Sequence, residues 1–280
     1  MEIRKLYNVS CQVVRPAIEV AEPTPRERHS SLGSLRPVEA DTAVTLPVDP
    51  PLGVRRTIRV LVKRSEVGQQ EFAVQATDPV TVLDLLREIQ RAHDSSLAFR
   101  YSCRVAMCGT CGIRVDGRSA LACSTVLPTD CDSIEVAPLA GLPVVRDLIV
   151  DTRPFWEQWA RVTPWFVPKE GAHERILPDS PEGELVESAL GCISCGACYS
   201  TCEIAQHGSD YLGPAALNRA LALVADPRDG AGRERLRTVG GRGGVDRCHY
   251  VQACTSACPV GLDPARSIVE LRRMRLRGHA

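Results

Sequence analysis

The chain has 280 residues, 44% of them hydrophobic, which is enough for two domains of ordinary size and excludes a fibrous or wholly disordered protein. Lys plus Arg and Asp plus Glu are equal at 34 each, so no global field steers the chain toward nucleic acid or acidic lipid. No run of about 18 apolar residues is present, and Met1 to Val14 lacks the apolar stretch of a secretory signal, so the chain is expected neither to span a membrane nor to be exported. Its 13 cysteines are then expected in a reducing compartment, where disulfides are disfavoured and metal ligation is the natural alternative.

Residues 1–53 carry Pro16, Pro23, Pro25, Pro37, Pro47, Pro50 and Pro51 without a sustained period, which predicts an extended or disordered arm. From Arg55 the pattern changes. Ile58, Val60 and Val62 alternate with polar neighbours as in a half-buried strand, and a second strand with Phe72 and Val74 follows a turn at Gly68. Thr81 with Asp84 reads as a capping box, and Val82, Leu83, Leu85, Leu86 and Ile89 form the apolar stripe of a helix. Ile113 and Val115 before Asp116-Gly117 predict a hairpin, and Ile134 and Val136 a closing strand. Two strands and then a helix suggest a β-grasp unit over residues 54–150.

Within that unit lie Cys103, Cys108, Cys111 and, further on, Cys123. Their spacing, C-x4-C-x2-C with a distant fourth cysteine, is that of plant-type 2Fe-2S clusters. Thiolates must wrap a small anionic cluster from one loop, and Gly109 and Gly112 are expected to let backbone N–H groups approach the sulfurs. Zinc is the competing reading of a C-x2-C pair, but it does not account for the C-x4-C arm.

After Asp151 the chain becomes helical pieces interrupted by Pro164, Pro168, Pro178 and Pro181, which predicts an α-helical second domain over residues 151–280. Cys192, Cys195, Cys198 and Cys202 form the C-x2-C-x2-C-x3-C run of bacterial ferredoxins, in which the fourth cysteine ligates the other of two clusters. Pro214 opens a helix with Leu217, Leu221 and Val224 on one face, and the glycine-rich stretch 240–244 leads to the last group, Cys248, Cys254 and Cys258. Crossing the ligands gives Cys192, Cys195, Cys198 and Cys258 around a 4Fe-4S cluster and Cys202, Cys248 and Cys254 around its neighbour. Where the third group would need its middle cysteine the chain has Val251, which cannot ligate iron. Three thiolates imply a 3Fe-4S cluster; a fourth iron held by water is the alternative. Clusters in the interior also suit an aromatic content of only 4%. Cys11 and Cys131 read as ordinary thiols, and Trp156, Trp159 and Trp165 as packing between domains.

These motifs resemble the iron-sulfur subunit of succinate dehydrogenase and quinol:fumarate reductase, respiratory complex II, over about residues 55–277. The resemblance rests on Y-S-C-R-V-A-M-C-G-T-C-G, on L-P-V-V-R-D-L-I-V-D from Leu142 to Asp151, on Gly213-Pro214, and on C-P-V-G-L-D-P from Cys258 to Pro264. It implies an α+β chain, an amino-terminal β-grasp plant-type ferredoxin domain followed by a helical bacterial-ferredoxin-like domain. It also implies a subunit that relays electrons from the FAD of a partner flavoprotein through its 2Fe-2S, 4Fe-4S and 3Fe-4S clusters to a quinone, with no residue that binds succinate. The implied partners are the flavoprotein and membrane anchor subunits, with or without haem, and no nucleic acid. The implied location is peripheral, on the cytoplasmic face of the plasma (inner) membrane. His249 matches a family histidine near the quinone, with Val251 and His207 as further candidates. Glu203 and His207 stand where many members have a proline and a tryptophan. The alternatives are a fumarate reductase subunit working in the opposite direction and a module of a soluble flavoenzyme. Arg272, Arg273, Arg275 and Arg277 on a terminal helix suit anionic headgroups or simply a helix carboxyl end.

Overall fold

The computed structural model describes residues 53, 55–171, 175–207 and 210–277; the arm expected over residues 1–53 therefore lies, except for Gly53, outside the described residues. Strands β1 (Arg55–Arg64) and β2 (Gly68–Thr77) form an antiparallel hairpin whose register sets Ile58 opposite Val74 and Val60 opposite Phe72. Because side chains alternate across a strand, this register gathers the apolar residues on one face. Ile58, Val60, Val62 and Val74 are completely buried there.

Helix α1 (Val82–Glu88) covers that face with Val82, Leu83, Leu85 and Leu86. Its start is the capping box read from the sequence: Asp84 N–H donates to Thr81 Oγ1 at 3.2 Å and Thr81 N–H to Asp84 Oδ2 at 3.1 Å. Such a cap is worth about 1 kcal/mol. A π-helical turn, Ile89–His93, prolongs it.

Strands β3 (Gly112–Val115) and β4 (Arg118–Leu121) form the hairpin expected at Asp116-Gly117, and β5 (Ser133–Ala137) follows. The sheet order is β2-β1-β5-β3-β4, with β5 parallel to β1. The strand expected to close the unit thus occupies its middle, as in a β-grasp.

A small hairpin, β6 (Val144–Arg146) and β7 (Ile149–Val150), leads out of the sheet. Asp147 between them is buried, with φ +50°, and accepts backbone N–H groups from Ser65 and Ala98 at 3.0 Å each. Arg64 reaches it at 3.0 Å and also reaches Asp94 at 2.7 Å. Burial alone would raise the Asp147 pKa, but these N–H and guanidinium contacts bring it below the ordinary value. One carboxylate thereby pins the exit of the first domain to its sheet.

The second half is helical: α2 (Arg153–Ala160), α3 (Pro181–Leu190), α4 (Ala197–Thr201), α5 (Glu203–His207), α6 (Gly213–Val224), α7 (Gly232–Gly240), α8 (Ala253–Ala257) and α9 (Pro264–Leu276). Helix α6 was expected to bury one face. Instead it is buried almost all round, because α3, α7 and α9 pack against it and its alanines admit them closely. Asn218 fastens this bundle, donating to Ala189 O at 2.8 Å and accepting from Ser267 Oγ at 2.9 Å. A second fastening is a fully buried ion pair, Arg235 with Asp229. Of the three tryptophans expected between domains, Trp159 stacks on Phe155 whereas Trp165 is largely exposed.

Candidate cluster-binding sites

The first site is an irregular loop between α1 and β3. Left-handed backbone at Arg104, Ala106 and Gly109 (φ +61°, +58° and +69°) curls it so that Cys103, Cys108 and Cys111 lie on one short turn of chain. The β3–β4 hairpin returns Cys123 to them, with Ala122 N–H bonded to Cys111 O at 3.0 Å. Val105 and Cys108 direct their N–H groups at Cys103 Sγ, at 3.5 and 3.4 Å. A Cβ at Gly109 would meet Ile193 and Cys195, and one at Gly112 would meet Cys195, so both glycines lie close to the backbone of the second cysteine group. The exposed Cys108 is drawn down to about 6, first by the Thr110 hydroxyl and then by backbone N–H groups, while burial pushes Cys111 up to about 12.

The second and third sites are built by two chain segments with the same local form. Cys192 is followed by left-handed residues at Ser194 (φ +53°) and Gly196 (φ +78°), then the five-residue α4, then Cys202 as its C-cap. Cys248 is followed by left-handed residues at Tyr250 (φ +59°) and Gln252 (φ +63°), then the five-residue α8, then Cys258 as its C-cap. The two helices pack on each other. In this repeat Cys198 corresponds to Cys254, and Cys195 to Val251.

The pairing brings Cys192, Cys195, Cys198 and Cys258 to the wall of one cavity, along with Ala215, Val260 and Leu262. Burial pushes Cys195 up to about 11 and Cys198 well above the ordinary thiol value; the neighbouring thiols of the same set push in the same direction. Four thiols in an apolar cavity form a donor set suited to cations.

Burial, and after it the nearby Cys248 thiol, raises Cys202, and burial with the nearby Cys202 and Cys248 thiols takes Cys254 up to about 11. Tyr211 was not singled out in the sequence. It is buried against this set and its hydroxyl hydrogen-bonds Cys248; burial and the three thiols hold that hydroxyl protonated far above its ordinary range. Tyr250 N–H also reaches Cys248 Sγ, at 3.4 Å. Among the described residues no three His, Cys, Asp or Glu side chains converge on a point as a single zinc ion requires. Cys192, Cys195, Cys198 and Cys258 border a space instead, and that donor set fits a cluster.

The residues proposed near a quinone lie at the surface by the third site. His249 is exposed, Val251 is 79% exposed, and His207 is exposed with Nδ1 2.9 Å from Glu203 O. Arg272, read in the sequence as facing headgroups or solvent, turns inward, donating to Val245 O at 3.0 Å and Cys248 O at 2.6 Å. Arg275 pairs with Asp246 at 2.6 Å and Arg273 with Glu270 at 2.6 Å. Cys131 is not the free thiol expected, for it is disulfide-bonded. Cys11 lies outside the described residues.

Residues 54–157 match a family described as a 2Fe-2S iron-sulfur cluster binding domain, and residues 188–262 match a 4Fe-4S dicluster domain. Two rice (Oryza sativa subsp. japonica) proteins are similar to the chain, the mitochondrial succinate dehydrogenase [ubiquinone] iron-sulfur subunits 1 and 2. The first is 35% identical over 199 residues, covering 70% of this chain and 71% of that protein. The second is 36% identical over 209 residues, covering 72% and 67%. A chain of the Mycobacterium smegmatis Sdh1 complex in the apo form shares the fold, with a TM-score of 0.72 at 24% identity, over 81% of this chain and 99% of that one.

Proposed function

The chain belongs to the iron-sulfur subunits of succinate dehydrogenase, and from that premise we propose how its three sites divide the work. Cys103, Cys108, Cys111 and Cys123 hold a 2Fe-2S cluster. Cys192, Cys195, Cys198 and Cys258 hold a 4Fe-4S cluster, and Cys202, Cys248 and Cys254 a 3Fe-4S cluster. When bound, these clusters supply one-electron chemistry, by which the subunit carries electrons from the FAD of a flavoprotein partner to a quinone.

The observation that carries the third assignment is the structural repeat, in which Val251 stands at the position Cys195 occupies. An apolar side chain there leaves three thiolates for one cluster. The remaining work is the protein's own. The left-handed loops gather the thiols, backbone N–H groups contact Cys103 Sγ and Cys248 Sγ, and the Tyr211 hydroxyl donates a further hydrogen bond to Cys248. Arg272 holds the carbonyls of Val245 and Cys248 and so fixes the loop that carries His249, Tyr250 and Val251. That exposed loop is the face proposed to meet the quinone and a membrane anchor subunit on the cytoplasmic side of the membrane; no helix among the described residues is long and apolar enough to cross the membrane itself.

Affinity purification from detergent-solubilised membranes through this chain tests the reading. A flavoprotein and at least one membrane subunit are expected to accompany it, and the complex to reduce quinone with succinate. A chain recovered without them would overturn the proposal.

A further inference from the structure

Glycine has two distinct uses in this molecule. At Gly68 and Gly117 the backbone is left-handed and an added Cβ would meet nothing within 4 Å, so the turns alone require glycine. Gly112 is different. Its backbone is not left-handed, yet a Cβ there would fall 2.8 Å from Cys195 O, closer than the 3.0 Å below which something must shift. At Gly109 a Cβ would fall 2.6 Å from Ile193 O and 2.9 Å from Cys195 Cα. A glycine in a strand where turn geometry does not call for it marks a close backbone approach, and here the approach is between the loops of two cluster sites.

Two independent observations place Cys195 on this seam. Ile193 and Cys195 pack against the core of the first domain, whereas Cys198, Cys202 and Cys248 pack against that of the second. A cavity between the halves is bordered by Cys108, Gly109 and Gly112 on one side and by Ser194, Cys195 and Gly196 on the other.

We propose that Gly109 and Gly112 are positioning residues for electron transfer between the first two clusters, keeping the 2Fe-2S loop in backbone contact with Cys195, the ligand through which the 4Fe-4S cluster is coupled to it. The proposal rests on the ligand assignment above. In the step concerned one electron leaves the reduced 2Fe-2S centre, which is oxidised, and the 4Fe-4S centre is reduced; no bond or proton moves. Tunnelling falls steeply with separation, so a contact that admits no side chain favours transfer by keeping the two loops close.

The test compares the purified complex with its Gly112→Ala and Gly232→Ala variants, since a Cβ at Gly232 also meets nothing within 4 Å. Iron and sulfide content is measured, together with the enhancement of 2Fe-2S spin relaxation by the neighbouring cluster when both are reduced. Gly112→Ala is expected to keep its clusters and lose part of the enhancement, and Gly232→Ala to match the wild type. A fully loaded Gly112→Ala complex with unchanged enhancement overturns the proposal. If Gly112→Ala does not load, the wild type decides: a 2Fe-2S centre relaxing as an isolated spin overturns the proposal, and enhanced relaxation with normal loading of Gly232→Ala upholds it. A wild-type complex lacking either cluster overturns instead the ligand assignment beneath it.

Discussion

Asp229→Asn preserves the volume of a side chain and removes its charge at a point where water cannot replace it. Both members of the Arg235–Asp229 pair have completely buried side chains. The Asp229 carboxylate also accepts the N–H groups of Val167 at 3.0 Å and Ala231 at 2.8 Å, while the Arg235 guanidinium donates to Thr163 O at 3.1 Å and Trp165 O at 2.7 Å. An amide keeps one acceptor and turns its other end into a donor facing donors. Arg235 then stays charged and dry without a counter-ion, a change that costs about 3–5 kcal/mol. With a melting temperature falling roughly 2–4 °C per kcal/mol in a protein of this size, the loss is about 6–20 °C. Thermal unfolding of the holo complex by far-UV circular dichroism, at one scan rate, measures it. Arg235→Met should cost a comparable amount, and the double variant less than the two together, because neither charge is then left alone. A melting temperature within about 2 °C of the wild type for Asp229→Asn would refute the claim that the pair is dry and mutually required.

Tyr211→Phe deletes the hydroxyl that donates to Cys248 and should lower the midpoint potential of the third cluster, because a donor to sulfur favours the more negative, reduced state. An EPR-monitored redox titration reads the shift, and an unchanged or raised potential would count against the role. Cys131→Ser should leave iron and sulfide content unchanged, whereas Cys254→Ser should lose the third cluster alone. Cluster loss in Cys131→Ser would mean that the eleven-cysteine assignment is incomplete.

Much of the first domain was legible because its strands alternate strictly and its helix carries a capping box; these are local signals that tertiary packing did not override. The central, parallel position of β5 was not legible, since strand order depends on crossovers that leave no period in the sequence. In the second domain the cysteine spacings are what the proposed grouping of thiols rests on, and Cys258 lines one cavity with Cys192, Cys195 and Cys198. The polar residues that hold the sites were hidden. Asp147, Asp229, Arg235 and Arg272 look like surface charges until neighbouring segments bury or turn them, and nothing marks Tyr211 before the fold puts its hydroxyl against Cys248. Cys131 was misread for a related reason: redox compartment bounds the behaviour of cysteines as a class and does not decide a single pair.

The assignment of three thiolates and Val251 to the terminal site is tested most directly by low-temperature EPR of the complex, purified anaerobically and then mildly oxidised. A 3Fe-4S signal is expected in the oxidised sample, vanishing on dithionite reduction as a 2Fe-2S signal appears. An oxidised sample that is EPR-silent, followed on reduction by two interacting 4Fe-4S centres, would contradict it.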